Sequence, residues 1–256
     1  MITIFRKIRQ DLLVKNKTKK YLLYATGEIL LVVIGILIAL QINNQNELNN
    51  TRDKELRYLA NIKIDLQQTI GSLEEFIATR KATVQSAGIV LDHFEGIHPV
   101  DLNQFNLHNL NVLVWFPFEQ HNNTYQELIN SGNLALISSK QIRNKLQDMQ
   151  SSFTAISFIE NEMQQDYETY LYDIYFDRVN LRTAFRNYEL QLGNPGQTPD
   201  VTISPSDISV LSESQKYKNG MVLSVYNSDL LVTEYTNMIQ SARQLTVLID
   251  AELARN

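Results

Sequence analysis

The sequence predicts an all-α protein: an N-terminal transmembrane helix followed by an antiparallel helical bundle with long helices. Three observations carry this. Residues 29–40 (ILLVVIGILIAL) are uninterrupted apolar sequence behind a cluster of bases. The five prolines fall in two windows, Pro99 and Pro117, then Pro195, Pro199 and Pro205. Because proline breaks helix interiors, three proline-free stretches remain. Each stretch repeats apolar residues at intervals of three and four, the period of a helix with one buried face. Strand signals are poor; only LNVLVWFPF at 110–118 and residues 199–203 read as extended.

Residues 1–20 hold seven bases (Arg6, Lys7, Arg9, Lys15, Lys17, Lys19 and Lys20) against Asp11 alone. Among them Ile2, Phe5, Ile8 and Leu12 recur at helical spacing, which predicts an amphipathic segment on an anionic inner leaflet. Twelve apolar residues cover only about 18 Å, short of a hydrocarbon core of roughly 30 Å. The span therefore extends to residues 21–42 and must include Glu28. Bases precede it and no comparable cluster follows, so the N-terminus is expected in the cytoplasm and the rest outside. The competing reading is a cleaved signal peptide, but the basic head is long and the exit, ALQINN, lacks a small-x-small pair.

Glu28, Val32, Gly35 and Ala39 share one helix face, and Gly35 with Ala39 forms a small-xxx-small pair. These are the candidate membrane-helix contacts. The plainer alternative is that Glu28 snorkels toward the headgroups near Lys19 and Lys20.

Beyond the span, the domain at residues 43–256 reads as helices at about 47–95, 124–131, 139–192 and 214–254. The first carries Leu59, Ile62, Leu66, Leu73, Phe76, Val84, Leu91 and Phe94. No breaker separates it from the span, so the anchor can run straight into it. Gly132 is expected to close the short second helix in the left-handed conformation, and Ser138 or Ser139 to cap the third. The third carries Ile142, Leu146, Met149, Phe153, Ile156, Met163, Tyr167, Tyr170 and Ile174. The fourth, after a turn-rich stretch at 193–206, carries Leu231, Tyr235, Met238, Ala242, Leu245 and Ile249.

FRKIRQ at 5–10, KYLLYATGEI at 20–29 and LVVIGILIALQINN ending at Asn44 resemble a family of single-pass membrane proteins of unknown function, common in Bacteroidota. TYQELINSGNL at 124–134 resembles it more weakly. Members often carry tryptophan after the paired asparagines, where this chain has Gln45. The resemblance implies an inner-membrane anchor with a periplasmic domain and supplies no activity.

The net charge of −5 divides into +6 over residues 1–20 and −11 over the remainder, which argues against nucleic-acid binding by the main domain. Without cysteine there are no disulfides, thiolate metal sites or cysteine nucleophiles. No cofactor motif is legible: the nine glycines form no phosphate loop, and His93, His98, His108 and His121 match no zinc spacing. SGN at 131–133 lacks the context of a nucleophile elbow. Tyr172 and Phe176 fall off the predicted core stripe and, with Trp115, form a possible contact surface; core packing is the plainer reading. Trp115, Phe116, Pro117 and Phe118 are expected to plug the bundle's end. The sequence thus points to a membrane-tethered, non-enzymatic protein acting through a protein partner or homo-oligomer. The alternative is a ligand-binding or sensor domain signalling through a partner.

Overall fold

A computed structural model describes residues 18–193, 195 and 199–255. The predicted amphipathic segment lies, up to residue 17, outside the described residues. Among the described residues eight α-helices follow one another: α1 (Thr18–Glu95), α2 (Leu102–Leu113), α3 (Asn123–Asn130), α4 (Lys140–Asp166), α5 (Asp173–Arg178), α6 (Leu181–Gly193), α7 (Pro205–Glu213) and α8 (Gln215–Leu253). A 3₁₀ turn (Asn133–Leu136) precedes α4, and a π-helical turn (Tyr167–Tyr172) joins α4 to α5. There is no strand among the described residues. The chain divides into two compact units, Met1–Arg57 and Tyr58–Asn256.

In the first unit, α1 carries the apolar run, and every side chain from 29 to 40 is exposed. An 18-residue window reaches a mean hydropathy of 2.3 with none of it buried, so the helix is long and apolar enough to cross a membrane. The predicted span and the predicted helix at 47–95 belong to this one helix. Residues 43–50 hold neither proline nor glycine to stop it.

In the second unit, three long helices bury heptad stripes. On α1 the inward positions are Leu59, Ile62, Leu66, Thr69, Leu73, Phe76, Arg80, Thr83, Ala87, Val90 and Phe94, alternating steps of three and four. On α8 the same alternation runs from Tyr217 through Met221, Ser224, Ser228, Leu231, Tyr235, Met238, Ala242 and Leu245 to Ile249. This is the spacing of knobs-into-holes packing. Lys63 pairs with Asp250 at 2.6 Å and Arg243 with Glu74 at 2.8 Å, so α8 runs antiparallel to α1. Bonds from Lys145 to Gln244 and from Asn227 to Asp166, both 2.9 Å, set it antiparallel to α4 as well. It follows that α1 and α4 run the same way.

Two parallel helices need a return connection. Residues 114–122 and α3 supply it, running back along α1. Thr69 donates to the His121 carbonyl at 3.1 Å, Asp65 caps α3 through the Thr124 N–H at 2.8 Å, and Tyr58 donates to Glu127 at 2.9 Å. Gly132, at φ +71°, ends α3 in the left-handed region, and the Ser139 hydroxyl then caps α4. The chain packs α2 against α6 through side-chain amides. Asn187 accepts from Asn106 and Gln191, each at 2.8 Å, and donates to Asn103 at 2.7 Å.

Four segments differ from the sequence reading. Residues 102–113 form α2, whose start is capped by Asp101 accepting from the N–H groups of Asn103 and Gln104, so that the first part of the stretch read as extended, 110–113, is helical. Within the turn-rich stretch Ser204 and Pro205 start a further helix, α7. The helix expected over 139–192 is interrupted twice, by the π turn and by extended Val179. The π turn also moves the stripe. Spacing from Met163 and Tyr167 predicts Tyr170 and Ile174 inward, yet Leu171 and Tyr175 are the buried pair, at 0% and 1% exposure. One extra residue in the turn shifts everything after it by one position.

That wider turn presses on α8 at Gly220. A Cβ there would lie 2.6 Å from Leu171 Cδ2 and 2.8 Å from Tyr170 Cβ. Gly220→Ala would gain about 1 kcal/mol of helix propensity on an open surface. Here overpacking should dominate, costing about 1–3 kcal/mol. Thermal unfolding is expected to show a lower Tm, and an unchanged or raised Tm would refute the close approach.

Candidate functional site

An irregular segment inside a helical bundle poses a hydrogen-bonding problem, since its backbone has no ladder to join. Residues 114–120 are such a segment. Pro117 has no N–H to satisfy, and the groups that flank it are the Phe116 carbonyl and the Phe118 N–H. Arg80 Nη2 donates to the Phe116 carbonyl at 3.0 Å, and Glu160 Oε1 accepts from the Phe118 N–H at 2.9 Å. Tyr235 donates to the same carboxylate oxygen at 2.5 Å, and Arg80 stands 4.0 Å from it. Arg80 is 1% exposed, Glu160 2% and Tyr235 0%. Each occupies a heptad position, on α1, α4 and α8 respectively. One polar layer therefore crosses all three helices and holds the return segment between them.

The layer is walled by rings. Phe118 meets Phe76 edge-on at 5.6 Å and Phe153 at 6.1 Å, and lies 5.9 Å from Tyr235. Burial in this apolar surround pushes the Glu160 carboxyl up. The Tyr235 and Phe118 hydrogen bonds and the Arg80 charge oppose that rise. Burial also raises the Tyr235 hydroxyl. Two buried charges seldom stabilise a fold relative to apolar residues, but removing one of them is costly. The arrangement fixes helix register and the path of the return segment, as a polar core position does in coiled coils.

The residues singled out in the sequence sit apart from this layer. Glu28 is half-buried on α1, and Gly35 and Ala39 are exposed. A Cβ at Gly35 would meet nothing within 4 Å, so that face is open. Trp115 is half-buried against the core, whereas Phe116 is 67% exposed. The Trp115–Phe118 motif thus lies level with Arg80, well inside α1, instead of plugging an end. Tyr172 and Phe176 stack with centroids 5.3 Å apart and planes 10° apart. The Tyr172 hydroxyl donates to the Leu113 carbonyl at 2.8 Å, and Phe176 is half exposed.

The histidines are dispersed in local contacts. His93 accepts from the Val100 N–H, His98 pairs with Asp92, His108 with Ser86 and His121 with Ser72. No three histidine, aspartate or glutamate side chains converge into a metal site among the described residues. A cleft where α1, α4 and the return segment meet, lined by Ile62, Leu66, Tyr125 and Met149 among others, holds about 20 Å³. That is room for about one water molecule.

Sequence reasoning placed Tyr235 on a stripe but missed Arg80 and Glu160. The signal was present. Continuing the three-and-four alternation from Leu73 and Phe76 lands on Arg80, and from Phe153 and Ile156 it lands on Glu160.

Glu160→Ala should cost about 3–5 kcal/mol by stranding Arg80 and the Phe118 N–H. Glu160→Gln, which keeps an acceptor, should cost less, and equal losses would refute the carboxylate's bonding role. Raised in the folded state, Glu160 contributes stability that is fully present below its ordinary value of 4.5 and lost as pH climbs through its folded value. Wild-type stability should therefore fall, relative to Glu160→Gln, as pH rises from about 4.5. Denaturant melts of both proteins across pH measure this directly.

No curated protein and no solved structure matches the chain. A family model matches residues 28–182, from Glu28 on α1 to Arg182 at the start of α6, and so includes Arg80, the return segment and Glu160. The match covers more than half of the 256 residues, and the chain belongs to the Family of unknown function (DUF6090).

Proposed function

We propose that this protein is a membrane-tethered helical module that works through protein contacts, as a structural or accessory subunit or as a homo-oligomer. The observation that carries the reading is the helix of the first unit. Its residues 29–40 are all exposed, an apolar surface that water does not tolerate and a bilayer satisfies. The seven bases before the span support a cytoplasmic N-terminus and an extracytoplasmic second unit, which in an envelope with two membranes is periplasmic. The polar layer of the second unit is structural: Arg80 and Glu160 bond the backbone of the return segment and Tyr235 bonds Glu160.

Orientation is testable with reporter fusions after Asn256. A periplasm-active phosphatase fused there should be active, and a cytoplasm-active fluorescent reporter dark; the reverse pattern overturns the topology. For the contact role, crosslinking in intact membranes and extraction in mild detergent should recover a stable self-oligomer or a defined partner. Recovery of monomer alone would count against it. In the same preparation, Gly35→Leu and Ala39→Leu should abolish any association that runs through the membrane helix.

A further inference from the structure

The π turn at Tyr167–Tyr172 joins two apolar stripes that compete for the same core. In the observed register Leu171 and Tyr175 face inward; in a regular α-helix Tyr170 and Ile174 would. Both pairs are apolar enough to be buried, and Tyr170 and Ile174 are already half-buried. The observed register has a cost. The Tyr175 hydroxyl is buried with no hydrogen-bond acceptor, although the Asn109 side chain lies beside it. The structure can also absorb a rotation here, because α5 has six residues and ends at extended Val179. Two polar ties hold the end of the π turn and the start of α5, the bond from Tyr172 to the Leu113 carbonyl and an exposed ion pair from Lys216 to Asp173 at 3.2 Å.

We propose that this turn is a register switch that exchanges a π turn for a regular α turn and rotates α5 by about 100°, one residue's worth of helix. Rotation exchanges Leu171 and Tyr175 for Tyr170 and Ile174. It breaks the Tyr172 bond to Leu113 and carries the stacked Tyr172 and Phe176 rings from the flank of the core to solvent. The result is an aromatic surface present in one state and withdrawn in the other. Packed interfaces with two discrete arrangements behave this way. The switch stands whether or not the protein works through contacts, since it concerns the helix itself.

The natural absence of cysteine makes the test direct. Nitroxide labels at Asp177→Cys on α5 and Tyr226→Cys on α8, both exposed positions, report α5 rotation by pulsed electron resonance on the full chain in lipid nanodiscs. Two distance populations are expected, separated by on the order of 10 Å, the width of a helix with its side chains. Tyr172→Phe removes a bond made only in the observed register and should enrich the second population a few-fold. Deleting exposed Thr169 removes the extra residue while keeping Leu171 and Tyr175 inward, and should leave one population. A single distribution in the wild type that Tyr172→Phe leaves unchanged overturns the switch. So does a second population that survives the Thr169 deletion.

Discussion

The fold of the second unit depends on how a non-helical segment is buried among helices. A chain whose first and second long helices run parallel must travel back between them, and here residues 114–122 make the first part of that return outside any helical ladder of hydrogen bonds. Arg80 and Glu160 meet that need from two different helices, and Tyr235 completes the layer from a third. An apolar layer would pack as densely but would leave the Phe116 carbonyl and the Phe118 N–H unbonded, at about 1–3 kcal/mol each. The charges are therefore better understood as the condition for this connection than as an added source of stability.

Register follows from the same layer. Heptad stripes slide against one another at modest cost when every layer is aliphatic, because each knob finds a similar hole one heptad along. A single layer with an arginine, a glutamate and a tyrosine allows one alignment only. With α1, α4 and α8 fixed there, the levels above and below are set. Phe118 falls among Phe76, Phe153 and Tyr235, and the π turn falls opposite Gly220. The extra residue of that turn is tolerated because α8 offers no Cβ at the point of closest approach.

Most of the architecture was legible in the sequence, and the reasons for the gaps are physical. Apolar runs and proline placement identified the apolar N-terminal helix and the long helices of the second unit, since both follow from local rules. Gly132 and Ser139 were legible for the same reason. The candidate site was not. Arg80 and Glu160 resemble solvent-facing residues until their partners are known, and apolar spacing alone leads through Val84 and Leu91, where the buried stripe runs through Thr83 and Val90. The shift from Tyr170 and Ile174 to Leu171 and Tyr175 was hidden because both registers satisfy the helical period. Tertiary neighbours distinguish them, Gly220 on α8 and the Leu113 carbonyl that accepts from Tyr172.

The family match runs from the apolar segment through the return connection and the π turn to Arg182, before α8 begins. That part contains the departures from regular helix: a buried irregular segment, its two charged partners and a π turn. α8 contributes Tyr235 and Gly220, but its remaining task is to cover two apolar stripes, which spacing alone can meet. Specific chemistry is therefore concentrated where the chain must depart from regular helix. Where it remains helical, a repeating apolar pattern suffices.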